Sequence, residues 1–173
     1  DNVSNNLIKA RGIEVGHIFH FGQKYSLPMK ANISDKKGDN IPVFMGSYGV
    51  GLSRLVGAVI EANHDEKGII WPKEITPWDY NIINLKSGDN ECEKICSDLY
   101  KLMNKNTLKV LYDDTDDRAG TKLARADLIG LPFQIIIGPK ALKGRVYDLK
   151  CRKSGDISRL SYDELLNFVQ TNK

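Results

Sequence analysis

The feature that most constrains the fold is a change in the order of apolar segments near the middle of the chain. After residue 78, short apolar runs alternate with stretches of helical periodicity, at residues 80–85, 89–105, 108–112, 121–129 and 133–137. A polar hairpin near residues 154–155 and a final helix from about Ser161 follow, where Glu164 completes a capping-box pattern. Alternating strands and helices predict a mostly parallel sheet with helices on its faces. The second half is therefore predicted to be an α/β domain.

The first half has a different pattern, in which strand-like runs at residues 13–21, 29–33 and 41–45 precede a single helix. We interpret the three runs as an antiparallel meander, with a hairpin at Lys37-Gly38. Residues 46–51 are predicted to form a glycine-rich turn. The helix after this turn is indicated by apolar residues spaced along one stripe, which are Leu52, Leu55, Val56, Val59 and Ile60.

Residues 63–78, between the two halves, are the best candidate for a domain boundary. They combine charged residues with Gly68, Pro72 and Pro77, and the residue before a proline disfavours a continuing helix. We place the boundary so that residues 1–72 form one domain and residues 73–173 form the other.

Composition excludes several classes of protein. The chain is 41% hydrophobic and 27% charged, which is typical of a globular protein that buries a core. No stretch approaches the roughly 20 apolar residues of a membrane helix, so no membrane partner is expected. The three cysteines form no CxxC pair, which argues against a disulfide framework and against a zinc site, and no metal site is predicted. Cys92 and Cys96 are expected to be buried thiols in a reducing compartment.

Basic residues are concentrated in residues 140–159, although the net charge of the whole chain is only +3. These residues include seven lysines and arginines but only two aspartates. Such an excess of positive charge could lie along phosphates. A solvated hairpin face explains the same pattern and is the favoured interpretation.

The run from Gly46 to Arg54 is the most informative stretch of the first half. Three glycines before a helix permit close backbone approach to a ligand, and a helix start offers free N–H groups to an anion. The spacing fits neither the P-loop nor the dinucleotide fingerprint. On this pattern alone, Arg54 is either a solvated arginine, which is favoured, or a guanidinium that pairs with phosphate or stacks on a base.

Three longer patterns, in this order, resemble the bacterial-type prolyl-tRNA synthetases, a class II family. Residues 11–31 resemble the segment after the inserted editing domain, and residues 46–72 resemble the third signature motif, motif 3. Residues 113–132 are similar to the anticodon-binding domain of these enzymes. The resemblance spans nearly the whole chain. It implies the C-terminal part of an antiparallel-sheet catalytic domain, followed by an α/β anticodon-binding domain with a five-stranded mixed sheet and three helices.

The resemblance also implies roles for single residues. Arg54 matches the catalytic motif-3 arginine that holds ATP. The residues implied to bind ATP or the adenylate are Glu14, His17, Gly51 and Arg54. Those implied to bind proline are Phe19, Gly46, Ser47 and Gly49, of which Ser47 stands where relatives commonly have cysteine. Those implied to bind the anticodon are Asp114, Arg118, Lys122 and Asp127.

The function that the resemblance implies is ligation of proline to tRNA in protein biosynthesis. A cytoplasmic homodimer would use ATP with Mg²⁺ to form prolyl-adenylate and then transfer proline to tRNA(Pro). Motifs 1 and 2 would precede residue 1, so the chain by itself is not expected to form the adenylate.

Two alternatives belong to other classes of protein. A non-catalytic RNA-binding module would bind tRNAs with steep salt dependence and without discrimination among them. A synthetase paralogue that has lost catalysis is disfavoured by the joint presence of Gly46, Gly49, Gly51 and Arg54.

Overall fold

The computed structural model describes residues 8–172, and its internal contacts divide the chain into two units, residues 1–59 and 60–173. The elements that begin in the first unit are β1 (Gly16–Gly22), α1 (Ser26–Met29), β2 (Asn32–Ser34), β3 (Asn40–Pro42), β4 (Met45–Val50) and α2 (Leu52–Ala62). Those that follow are β5 (His64–Asp65), β6 (Gly68–Ile69), β7 (Tyr80–Asn84), α3 (Asn90–Lys105), β8 (Val110–Asp113), α4 (Ala119–Ile129), β9 (Phe133–Ile137), α5 (Pro139–Gly144), β10 (Tyr147–Cys151), β11 (Ile157–Leu160) and α6 (Tyr162–Thr171).

The first unit is built on two antiparallel strand pairs. Strands β2 and β3 form the hairpin predicted at Lys37-Gly38, and Gly38 adopts a left-handed conformation at its tip. The predicted meander is wrong, because β1 pairs with β4 rather than with β2. The predicted glycine turn is also wrong over most of its length, since Gly46 and Gly49 lie inside strand β4. A Cβ at Gly46 would come within 3.1 Å of the Phe19 carbonyl oxygen, so glycine permits this close pairing.

Helix α2 begins at Leu52 as predicted and ends at Ala62. No residue of α2 is buried, and the apolar side chains of Leu52, Leu55 and Val56 are exposed. The periodicity therefore predicted the helix correctly, although the stripe is exposed at Leu52, Leu55 and Val56 and only half-buried at Val59 and Ile60.

The second unit contains the predicted five-stranded mixed sheet, with strand order β11-β10-β9-β7-β8. Strands β7, β8 and β9 are parallel, whereas β10 pairs antiparallel with both β9 and β11. The parallel strands follow from the alternation of strands and helices seen in the sequence. The structure adds one short helix, α5, to the three that were predicted. Its six residues begin with Pro139 and are too few to show helical periodicity.

The core of the second unit lies between the sheet and helices α3 and α6. All five residues of β7 are buried, and its apolar side chains pack against α3 residues that include Cys96 and Leu99. Leu165 and Val169 of α6 complete this core. The predicted burial of both helical thiols is confirmed. Burial raises the pKa of Cys92 to about 11 and that of Cys96 to about 12, so both stay protonated at neutral pH.

Side-chain caps fix the starts of two helices in this unit. Asp89 accepts a hydrogen bond from the backbone N–H of Cys92 at 3.0 Å at the start of α3. Ser161 and Glu164 form the capping box that the sequence predicted at the start of α6. Across residues 8–172, no helix is both long and apolar enough to cross a membrane.

The segment of residues 63–78, the candidate for the domain boundary, is folded against the second unit. Strands β5 and β6 form a short hairpin, and Trp71 donates hydrogen bonds to helix α4 and the residue after it. The structure therefore groups residues 60–78 with the C-terminal unit. The boundary between residues 72 and 73 stays a prediction.

Candidate functional site

Strands β1 and β4 bring several predicted proline and adenylate residues onto one face of a two-stranded ribbon. His17 lies opposite Gly49, and Phe19 lies opposite Ser47. Directly opposed residues of an antiparallel pair share a face. The His17 and Phe19 rings stack with centroids 4.0 Å apart, and Phe21 continues the row at 5.8 Å from Phe19. The ribbon thus presents an aromatic row beside the small residues Ser47 and Gly49.

Gly46 occupies a different position in the same ribbon. It lies opposite His20, one residue out of phase with Phe19. Because successive strand residues point to opposite faces, His20 lies on the face away from His17, as the strand period predicted. Gly46 therefore contributes its backbone rather than a side chain to the face of Phe19 and Ser47.

Arg54 projects from the first turn of α2 toward the start of β1. Its Nη1 donates a hydrogen bond to the Glu14 carbonyl oxygen at 3.0 Å, and the side chain is exposed. The Glu14 carboxylate lies 3.6 Å from His17 Nδ1, and the Gly51 N–H donates to the Val15 carbonyl at 2.9 Å. The structure thus brings together the four residues predicted to bind ATP. A guanidinium held at a strand–helix junction and open to solvent can pair with phosphate oxygens.

The second predicted site lies where the parallel strands β7 and β8 end. Lys122 of α4 is fully buried there, and its ammonium donates to the Asn84 carbonyl oxygen at 2.6 Å. The same nitrogen is 3.3 Å from Ser87 Oγ and 3.7 Å from Asp113 Oδ1. Lys122 therefore ties α4 to the ends of both strands, and its charge is satisfied inside the protein.

Arg125, one turn further along α4, binds the loop of residues 114–118 through its guanidinium. Its Nη2 donates to Asp113 Oδ2 at 2.8 Å and to Thr115 Oγ1 at 2.6 Å, while Nη1 donates to Asp117 Oδ2 at 2.8 Å. Ser87 adds a hydrogen bond from its hydroxyl to the Thr115 carbonyl oxygen at 2.6 Å. The loop is thus bound at both of its ends.

Hydrogen bonds keep the carboxylates of Asp113, at the end of β8, and Asp117, in the loop, ionised. Burial raises the pKa of Asp113, but hydrogen bonds from Arg125 and Thr115 outweigh it, so this pKa lies below its ordinary value. The hydrogen bond from Arg125 also lowers the pKa of Asp117. Sequence reasoning missed Arg125 and Asp113. The available signal was the position of Arg125 three residues after Lys122, on the same side of a helix.

Asp114 and Arg118 occupy the exposed surface of this loop. Arg118 is the residue before α4, where its carbonyl accepts the first hydrogen bond of the helix from the Lys122 N–H at 3.1 Å. The loop and the start of α4 thus expose one carboxylate and one guanidinium. These groups offer both acceptors and donors to a ligand with polar edges.

Asp127 lies about two turns further along α4 and is engaged elsewhere. Its Oδ1 accepts from Lys150 Nζ at 2.5 Å and from Gln134 Nε2 at 2.9 Å. Burial by itself would raise the pKa of Asp127. The two hydrogen bonds have the larger effect, so the pKa lies below its ordinary value and the carboxylate is ionised at neutral pH. Of the four residues predicted to bind the anticodon, the structure leaves Asp114 and Arg118 open and engages Lys122 and Asp127 within the protein.

Three of the seven basic residues within residues 140–159 form ion pairs. Arg152 pairs with Asp65, Lys150 with Asp127, and Arg159 with Asp148. The exposed Arg159 agrees with the interpretation of a solvated hairpin face, whereas the buried Arg152 does not. Within residues 8–172, no three side chains of histidine, cysteine, aspartate or glutamate are grouped as a metal site.

Comparison with known proteins gives concordant results for both units. A family profile described as an anticodon binding domain matches residues 79–172, more than half of the chain. The Proline–tRNA ligase of Maricaulis maris is 52% identical over 160 residues, which cover 92% of this chain and 36% of that protein. The Caulobacter vibrioides enzyme of the same name is 51% identical over 166 residues (96% and 38%), and that of Rhodospirillum rubrum 53% over 161 residues (93% and 37%). The chain therefore spans little more than a third of the length of these relatives.

Proposed function

The chain belongs to the family of anticodon-binding domains, and from this premise we propose that it is the C-terminal portion of a class II proline–tRNA ligase. The observation that carries the proposal is about 52% identity to proteins named Proline–tRNA ligase over 92% or more of this chain. This range includes strands β1 and β4 and Arg54 as well as the anticodon-binding domain. In the full-length protein, the chain would supply motif 3 and the anticodon reader.

The proposed role of Arg54 is to hold ATP during activation of proline. The proline carboxylate attacks the α-phosphate, pyrophosphate leaves, and negative charge develops on the phosphate oxygens. A guanidinium that is already positioned next to these phosphate oxygens lowers the activation barrier, because the protein needs little reorganisation as the charge develops. The Glu14 carbonyl orients the guanidinium through the 3.0 Å hydrogen bond. The His17 imidazole would supply a hydrogen bond at the adenylate. Mg²⁺ would arrive with ATP as part of the substrate.

The proposed proline site is the face of the ribbon that carries Phe19. The exposed Phe19 ring is a suitable apolar wall for a pyrrolidine ring, and Ser47 opposite it adds a hydroxyl. Gly49 leaves open space at its Cβ position, which has no heavy atom within 4 Å. A small cyclic amino acid therefore fits this face better than a long polar one.

The proposed anticodon contacts are Asp114 and Arg118. A carboxylate can accept hydrogen bonds from guanine N1 and N2, and a guanidinium can donate to guanine O6 and N7 or to phosphate. The two guanines shared by prolyl anticodons suit this pair. Lys122 and Arg125 would support the loop from inside, and Asp127 would support α4, without touching RNA.

The proposed function is tested with the full-length protein. Proline-dependent ATP–pyrophosphate exchange and charging of a tRNA(Pro) transcript are expected, and replacing the anticodon guanines should reduce charging. Absence of proline-dependent exchange in folded full-length protein would disprove the proposal.

The 173-residue chain by itself is expected to show no proline-dependent ATP–pyrophosphate exchange. The physical reason is that the chain spans only 36–38% of the length of its relatives, and Arg54 by itself would contact only part of the reacting phosphates. Exchange measured on the isolated chain, with the full-length protein as positive control, checks this prediction. A rate that depends on proline and scales with chain concentration would contradict it.

Substitution Arg118→Gln in the full-length protein is expected to raise the KM for tRNA(Pro) by roughly tenfold to a hundredfold, because one good base contact contributes about 1–3 kcal/mol. Exchange without tRNA should not change. The variant should also discriminate less between the natural transcript and one with altered anticodon guanines. The matched control is Arg159→Gln, which removes an exposed arginine from the β10–β11 hairpin. Equal KM values for the two variants would exclude Arg118 from the anticodon site.

A further inference from the structure

The C-terminal end of helix α4 is in close contact with the β5–β6 hairpin. A Cβ added to Gly130 would lie 1.8 Å from the Ile69 carbonyl oxygen, and one added to Gly68 would lie 2.4 Å from Leu128 Cα. Both glycines have positive φ, at 78° and 144°. Two backbones thus approach more closely than side chains would allow, which indicates a contact of fixed geometry.

Arg152 of the β10–β11 hairpin connects these two elements. Its guanidinium donates to both carboxylate oxygens of Asp65, at 2.8 and 2.6 Å, and to the Gly68 carbonyl at 3.2 Å. Its Nε donates to the Asp127 carbonyl at 3.0 Å. Arg152 is only 4% exposed. One buried side chain therefore holds the hairpin on one side and helix α4 on the other.

Trp71, just after the hairpin, forms a second connection to the same helix end. Its backbone N–H donates to the Gly130 carbonyl at 3.1 Å, and its indole N–H donates to the Ile129 carbonyl at 3.0 Å. The last carbonyls of a helix lack partners within the helix and carry partial negative charge. Arg152 and Trp71 satisfy carbonyls at this end, and the cation of Arg152 matches their charge.

The opposite end of α4 carries the candidate anticodon loop. Arg118 precedes the first turn, and Arg125 binds the loop to the helix through Thr115 and Asp117. Eleven helical residues span about 16 Å as one rigid element. The hairpin attached to the far end of α4 begins at His64, two residues after α2 ends, and α2 carries Arg54 in its first turn.

We propose that Arg152 is a positioning residue, whose pair with Asp65 locks the β5–β6 hairpin to α4 and thereby fixes where the chain from α2 enters the anticodon-reading unit. This inference rests on the proposed function. A tRNA bound at Asp114 and Arg118 must place its acceptor end at the reacting adenylate, and small misplacements of reacting groups can cost about a hundredfold in rate. Loosening the lock should therefore slow transfer of proline to tRNA, while activation of proline continues.

The test uses the full-length protein and two variants, Arg152→Gln and Asp65→Asn. Each removes the ion pair, and Asp65 is 42% exposed, so its substitution is the milder change for folding. The kcat for charging tRNA(Pro) is expected to fall by about tenfold to a hundredfold. The KM for tRNA and the proline-dependent exchange without tRNA should stay unchanged. The double variant should be no slower than Arg152→Gln, because that substitution already removes the ion pair that Asp65→Asn removes.

The matched control is Arg159→Gln, which breaks another arginine–aspartate pair of the same β10–β11 hairpin. That pair is exposed and has a 3.5 Å separation, so its loss should leave kcat unaltered. If Asp65→Asn and Arg152→Gln charge tRNA like this control, the inference is overturned. A parallel fall of exchange and charging would also overturn it, since that outcome describes general damage to the fold. If the unsubstituted protein charges no tRNA, the proposed function fails first and the inference fails with it.

Discussion

Substitution Arg54→Ala in the full-length protein is expected to lower kcat for proline-dependent ATP–pyrophosphate exchange by about 10²- to 10³-fold, the usual cost of losing one preorganised contact to developing charge. Arg54 is exposed, and the hydrogen bond from its side chain goes to the Glu14 carbonyl. Its loss should therefore affect the reaction far more than the stability of the fold. Arg54→Lys should restore little, because an ammonium cannot reproduce the planar pairing of a guanidinium.

Steady-state exchange rates and thermal unfolding of the same preparations check this prediction. The control is Lys36→Ala, which removes an exposed positive charge from the β2–β3 hairpin of the same unit. Its exchange rate should equal that of the unsubstituted protein. An Arg54→Ala protein that keeps more than about a tenth of the exchange rate would remove Arg54 from the proposed reaction, since the expected loss is at least a hundredfold.

Substitution Gly130→Ala in the 173-residue chain is expected to reduce the free energy of unfolding of the C-terminal unit by about 2–5 kcal/mol. A left-handed conformation costs a non-glycine residue roughly 1–2 kcal/mol, and forcing atoms into a filled space adds about 1–3 kcal/mol. Here the new methyl group would overlap the Ile69 carbonyl oxygen at 1.8 Å. Because that oxygen belongs to backbone, relief requires the β5–β6 hairpin to move away from α4.

Gly155→Ala separates the two contributions. Gly155 has nearly the same positive φ, 79° against 78° at Gly130, but a Cβ there has no heavy atom within 4 Å. Gly155→Ala should therefore reduce the free energy of unfolding only by the conformational cost of about 1–2 kcal/mol. Urea unfolding followed by tryptophan fluorescence is a suitable measurement, since both tryptophans, Trp71 and Trp78, lie in the C-terminal unit. If Gly130→Ala and Gly155→Ala reduce the free energy of unfolding equally, the β5–β6 hairpin does not restrict the C-terminal end of α4.

The elements predicted correctly are those whose signals are local. Strand β7, helix α3 with its buried thiols and the capping box of α6 each follow from apolar periodicity or from a residue pair a few positions apart. Helix α5 escaped prediction because six residues are too few for a periodic signal. The pairing of β1 with β4 was missed for a different reason: residues between 22 and 45 separate the partners, and strand order depends on contacts that no local pattern records.

The candidate site residues also divide into those indicated by a local motif and those whose role depends on tertiary contacts. Arg54 was identified from its motif, and the structure then placed it beside Glu14, His17 and Gly51. The roles of Lys122 and Asp127 could not be read from residue type, because an ammonium or carboxylate suits an RNA contact as well as a buried ion pair. Burial and the position of partners distinguish these roles, and both depend on how α4 packs against β7, β8 and β10.

The sequence alone determined three properties: the glycine-rich segment that precedes Arg54, the alternation of strands and helices that makes the C-terminal unit an α/β domain, and the family to which that unit belongs. These properties depend on residue type, periodicity and order, which are local and cumulative along the chain. The tertiary structure alone decided that Gly46–Val50 is a strand, that Lys122 is enclosed, and that Arg152 joins Asp65 to α4 across 87 positions. Such contacts form between distant residues, so their geometry exists only once the backbone has folded.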